Sequence, residues 1–89
     1  MCYVYMMECS DGSLYTGWTT NLEKRLKTHN SGRGAKYTRS RLPVKLVYYE
    51  EVKNRSHALR REKEIKKLTR LKKLELLEDM ESLDSTIDF

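Results

Sequence analysis

Cysteine is scarce in this chain: Cys2 and Cys9 are its only two, seven residues apart, and no CxxC pair occurs. With His29 and His57 as the sole histidines, that spacing gives neither a zinc site nor a disulfide framework. Two thiols without a secretory leader fit a reducing compartment, so a cytoplasmic location is expected, with both cysteines buried as small apolar groups. No apolar run is long enough to span a bilayer, and the basic residues are not confined to one helical face, so a membrane role has no support. Basic residues are missing from one end only. Residues 74–89 hold six acidic residues and no Lys or Arg, a charge of −6; residues 1–73 hold all eighteen basic residues against seven acidic ones, a charge of +11. A body of that charge points to a polyanionic partner, nucleic acid being the commonest, against the plainer reading of a solvated basic surface. Eighty-nine residues make one small domain that buries about 60–65% of its unfolded surface, enough for one core and one site.

Residues 2–8 (CYVYMME) and 13–18 (SLYTGW) are rich in aromatic and apolar side chains and flank a turn centred on Asp11-Gly12, the pattern of a β-hairpin. Alternation puts Tyr3, Tyr5 and Met7 on one face of the first strand, and Ser13, Tyr15 and Gly17 on one face of the second. Thr20-Asn21-Leu22-Glu23 has the form of a capping box opening a helix, with Leu22 and Leu26 one turn apart and an end near Asn30-Ser31-Gly32. The stretch SGRGAKYTRSRLP reads as a loop or irregular short helix, and VKLVYYEE as a third strand. Asn54 or Ser56 caps a second helix through HALRREKEIKKL, and Thr69 a third through RLKKLELLEDM. The expected fold is α+β, a small three-stranded antiparallel sheet flanked by helices in the order ββαβαα. It occupies residues 1–78, and 79–89 form an acidic, flexible tail; the acidic stretch 74–89 either competes with nucleic acid for the basic surface or, the plainer reading, is a helix end with a solvated tail and no such effect.

Three polar residues exceed what this pattern requires. Arg25 and His29 stand at i and i+4 beside the Leu22/Leu26 stripe. Glu62, four after Ala58 and three before Ile65, sits on or beside the apolar stripe of its helix, where a charge costs energy unless it meets a cation, a metal or several donors. The plain readings are a Glu62–Lys66 pair on a solvated face, His29 favoured by a helix C-terminal dipole, and a Tyr5/Tyr15 cross-strand pair with Gly17 marking a bulge. Taken singly, these are the stronger readings. Taken together, the residues form a candidate site for phosphodiester chemistry.

The chain resembles the GIY-YIG nuclease superfamily, most closely its small stand-alone bacterial members, over roughly residues 2–70. Tyr3-Val4-Tyr5 stands where the family has GIY and Tyr15-Thr16-Gly17 where it has YIG. Thr19, Asn21-Leu22, Arg25 and His29-Asn30 follow at the family's spacing, GAKYTRSRLPVKLVYYE is similar to the signature of the stand-alone group, and Glu62 falls on the family's metal-binding glutamate. Each three-letter motif is weak alone; the ordered set of Tyr5, Tyr15, Gly17, Arg25, His29 and Glu62 is specific. Departures are Tyr3 for the first glycine, Val4 and Thr16 for the isoleucines, and the lack of any asparagine after Asn54.

The resemblance implies a metal-dependent endonuclease acting on DNA in preference to RNA, in repair or nucleic-acid processing, and working as a monomer. Its alternative is a non-catalytic nucleic-acid-binding or adaptor module on the same fold. Glu62 is expected to hold one Mg²⁺ or Mn²⁺ ion, Arg25 to clamp the scissile phosphate, and Tyr15 to hydrogen-bond the phosphate or the nucleophile. Tyr5 is expected to activate or orient the water, with a pKa well below the usual value near 10, or to pass its proton to His29. Gly17 leaves room for close approach, while Lys36, Arg39 and Arg41, with Tyr37 for stacking, are expected to bind the strand outside the site.

Overall fold

The computed structural model describes residues 1–83, with side chains as far as Asp79. Three strands, β1 (Cys2–Glu8), β2 (Leu14–Thr19) and β3 (Lys45–Val52), form one antiparallel sheet in the order β2-β1-β3. The hairpin turn closes through Cys9 N–H to the Ser13 carbonyl, and Gly12 takes φ +84°, a conformation in which other residues are strained. Its mate Asp11 accepts from both the amide and the hydroxyl of Ser13.

Alternation along β1 divides the core between the two sheet faces. Cys2, Val4 and Met6 pack on one face with Tyr48, Ala58 and Ile65; Tyr5 and Met7 pack on the other with Cys9, Leu22, Val44 and Leu46. Each such fully buried apolar side chain contributes about 1.5–3 kcal/mol. The helices follow this division: α1 (Leu22–Asn30) covers the Tyr5 face, whereas α3 (Arg55–Lys66) crosses β1 and β2 on the opposite one. The final helix, α4 (Arg70–Leu83), rests on β3 and adds Leu76 and Leu77 to the Val4/Met6 face.

Local differences from the sequence reading have local causes. The cap of α1 is Asn21, one residue past the capping-box threonine, because its side chain accepts from Lys24 N–H while Thr19 Oγ1 accepts from the Asn21 amide. Asn54 caps α3 through His57 N–H, and Thr69 Oγ1 accepts from Lys72 N–H at the start of α4. Within the glycine- and arginine-rich stretch a one-turn helix, α2 (Lys36–Arg39), forms, so the order is ββααβαα. Asn30 clamps the far end of that stretch, donating to the Val44 carbonyl and accepting from the Val44 amide; the Leu42–Pro43 bond beside it is cis. The proposed flexible tail begins inside α4, and its remainder from residue 84, with its effect on the basic surface, lies outside the described residues.

Candidate functional site at the β2 edge

Register places Tyr5 directly opposite Gly17, and Met7 opposite Tyr15. The two tyrosines are therefore diagonal neighbours rather than facing partners, with ring centroids 6.5 Å apart. The missing side chain of Gly17 is occupied by Tyr5: a Cβ there would stand 2.5 Å from the phenol oxygen. Because β2 is an edge strand, this carries the Tyr5 hydroxyl across the sheet to its margin.

There it meets His29. The phenol oxygen lies 3.2 Å from His29 Nε2, and His29 Nδ1 lies 2.8 Å from Thr38 Oγ1 on α2. Thr38 in turn donates to the Ala35 carbonyl at 3.0 Å. His29 and Thr38 are both buried, and Gly34 lets the imidazole lie against the loop backbone, since a Cβ on Gly34 would come within 2.7 Å of the ring's Cγ. Gly34 and Thr38 thus hold the site together. Neither was singled out from the sequence, where each reads as loop composition; only the heavy clustering of small residues between Ser31 and Ser40 hinted at close backbone packing.

Arg25, one turn before His29, lies near enough to the Tyr5 hydroxyl to lower its pKa and opens onto a shallow polar hollow lined by Thr19, Thr20, Lys24 and Thr28. Glu62 arrives on α3 from the other face of the sheet, close enough for its charge to raise the Tyr5 pKa. Its carboxylate is mostly buried and pairs with Lys66 Nζ at 2.8 Å, the plain pairing foreseen from the sequence. Lys66 shares a second groove with Tyr15, Thr16, Tyr37 and Lys73 along the same edge.

Burial pushes the Tyr5 phenol well above its usual value, with further increments from the charges of Tyr15 and Glu62 against a lowering by Arg25. This corrects the expected low pKa: the desolvated hydroxyl is a neutral phenol, because the lowering by Arg25 is smaller than the rise from burial. Burial, then the Arg25 charge, lowers the pKa of His29, so its ring is a neutral imidazole at neutral pH.

The four proposed strand-binding residues divide. Tyr37 stacks on Tyr15 at 6.1 Å, and Tyr15 lies 5.3 Å from the His29 ring, so an aromatic ladder runs out from the site. Arg41 closes the ladder with its guanidinium 4.0 Å from the Tyr37 ring centre, and its fork is already bound to Asp11 and the Tyr37 carbonyl. It braces the loop. Lys36 and Arg39 stand exposed on α2. Away from the site, Arg61 binds Glu50 through two nitrogens, and Tyr48 donates to the same carboxylate, a cluster that ties α3 to β3.

Among the described residues no three metal-ligating side chains converge. The donor set still suits Mg²⁺ or Mn²⁺, which take one or two carboxylates and fill the remaining positions with water and phosphate oxygens. Glu62 would be the protein ligand.

The model of the GIY-YIG catalytic domain matches residues 1–75. The chain belongs to the GIY-YIG family. A UPF0213 protein of Clostridium perfringens is 65% identical over 69 residues, 78% of this chain and 74% of that one. One of Haloquadratum walsbyi is 61% identical over 67 residues, 75% of each. The solution NMR structure of a UPF0213 protein from Bacillus halodurans is similar at 48% identity and TM-score 0.53, over 94% of this chain and 86% of that one. That of an E. faecalis protein is similar at 40% identity and TM-score 0.57, over 98% and 90%. GIY-YIG membership implies a nuclease-type function and a nucleic-acid substrate, and the α+β fold with a three-stranded antiparallel sheet agrees with both solved relatives.

Proposed function

We propose that this protein is an endonuclease that hydrolyses phosphodiester bonds in DNA with the help of one Mg²⁺ or Mn²⁺ ion. The observation that carries the reading is the hydrogen bond between the buried Tyr5 phenol and the neutral His29 imidazole, with Arg25 beside it. A phenol with a raised pKa is a poor reservoir of phenolate but a good relay. Tyr5 accepts a proton from the attacking water as it gives its own to His29 Nε2, so no free phenolate need accumulate. Arg25 presents its planar fork to the scissile phosphate and offsets the charge that develops on the non-bridging oxygens. Tyr15 orients the phosphate from the next rung of the ladder, while Tyr37, Lys36 and Arg39 engage the flanking strand by stacking and charge. A divalent ion on Glu62 would polarise the phosphate and stabilise the leaving oxygen.

The alternative, a binding module without turnover, draws on the Glu62–Lys66 pair, which leaves the carboxylate satisfied without a metal. Cleavage assays on single strands, duplexes, flaps and junctions with Mg²⁺ or Mn²⁺ separate the two. The nuclease reading expects cleavage of at least one of these, lost in Arg25→Ala with the fold intact. Binding without cleavage under both metals supports the module.

A further inference from the structure

We propose that Thr38 is a positioning residue that fixes the tautomer of His29, keeping Nε2 free to take the proton of Tyr5. The protons along the chain of contacts fix that tautomer. Arg25, the charged group beside the Tyr5 oxygen, has donors only and offers nothing to the phenol's hydrogen. Among the described residues, the acceptor within reach of that hydrogen is His29 Nε2. Nε2 is therefore bare, and in a neutral ring the hydrogen sits on Nδ1. Nδ1–H donates to Thr38 Oγ1, and the Thr38 hydrogen goes to the Ala35 carbonyl. Every hydrogen then has an acceptor, from Tyr5 through His29 and Thr38 to the backbone.

The opposite tautomer breaks this order. Nε2–H would donate to the Tyr5 oxygen, leaving the buried phenol hydrogen without a partner, which is costly away from water. Thr38 favours the productive arrangement because the first turn of α2 gives its hydroxyl a standing acceptor one turn back, so its lone pairs face the imidazole. Gly34 supports the same geometry by letting the ring reach that hydroxyl. When the water proton enters Tyr5 and the Tyr5 proton enters Nε2, the ring becomes a cation with both nitrogens donating, and Thr38 still accepts from Nδ1. No atom need rotate.

This inference rests on the proposed relay through Tyr5, and its test has a readout independent of turnover. The ¹⁵N shifts of the His29 ring distinguish a protonated from a bare Nδ1, and are measured in the wild type, Thr38→Val and Thr38→Ser. The expected result is Nδ1–H in the wild type and Thr38→Ser, and a shift toward Nε2–H in Thr38→Val. Cleavage should fall roughly 10²- to 10⁴-fold in Thr38→Val, the range for loss of an acid–base group, and return to within a few-fold of wild type in Thr38→Ser. Nε2–H in the wild type overturns the proposal without recourse to any variant. So does an unchanged Nδ1–H in a folded Thr38→Val, whatever its activity. A wild type that cleaves nothing defeats the nuclease reading, while the ring shifts still decide whether Thr38 sets the tautomer.

Discussion

The imidazole of His29 fills the space that a side chain on Gly34 would need, and a methyl placed there would stand 2.7 Å from the ring's Cγ. Backbone and buried ring cannot both hold their places around that methyl, so Gly34→Ala must push His29 away from Thr38 and Tyr5. Overpacking of this kind costs about 1–3 kcal/mol, readable as a lower urea midpoint, and cleavage should fall with it. Gly12→Ala is the control: Gly12 needs its positive φ but has open space around it, so that variant should lose stability through backbone strain alone and keep its cleavage per folded molecule.

Much of this was legible in the chain. Two alternating strands around Asp11-Gly12 predicted the hairpin, and the Leu22/Leu26 and Ala58/Ile65 spacings predicted helices with buried stripes. Gly34 and Thr38 escaped because their importance is tertiary: only after Asn30 and Val44 close the stretch between them does the loop lie against His29. The Tyr5 pKa was misjudged for a related reason. The cations expected beside the hydroxyl favour ionisation, but desolvation depends on how much protein covers the ring, which spacing does not reveal.

Stability should decline in mild acid because of His29. Its folded pKa lies below the usual value near 6.5, so the unfolded chain takes up a proton that the folded one refuses. The contribution of neutral His29 is fully present above that value and is lost as pH falls through the lower folded one. Glu50 and Asp11, whose carboxyls are held low by Arg61 and Tyr48 and by Ser13 and Arg41, add their losses only further into acid. Urea midpoints measured from pH 7 to pH 5 should fall in the wild type and stay level in His29→Gln.

Thr16 stands where the family has isoleucine, and its hydroxyl is buried with no hydrogen-bond partner among the described residues. Thr16→Val keeps the shape and removes the unsatisfied group. It should stabilise the protein by about 1 kcal/mol in urea unfolding, with an unchanged m value and unchanged cleavage.

The Lys66 ammonium competes with any cation for Glu62. Lys66→Met removes that competitor and should tighten Mn²⁺ binding, followed by calorimetry without nucleic acid, by up to about fivefold, since an ion pair whose ammonium is open to solvent contributes at most about 1 kcal/mol. Unchanged Mn²⁺ affinity would place the metal elsewhere.

The nuclease account rests on Tyr5 and Glu62 acting together across the sheet edge. Its most direct test is the rate of oligonucleotide cleavage with Mg²⁺ or Mn²⁺ by the wild type, Tyr5→Phe and Glu62→Ala, with circular dichroism on the same samples. The account predicts cleavage by the wild type and a loss of roughly 10²-fold or more in each variant with the spectrum retained. Full activity in a folded Tyr5→Phe or Glu62→Ala would contradict it.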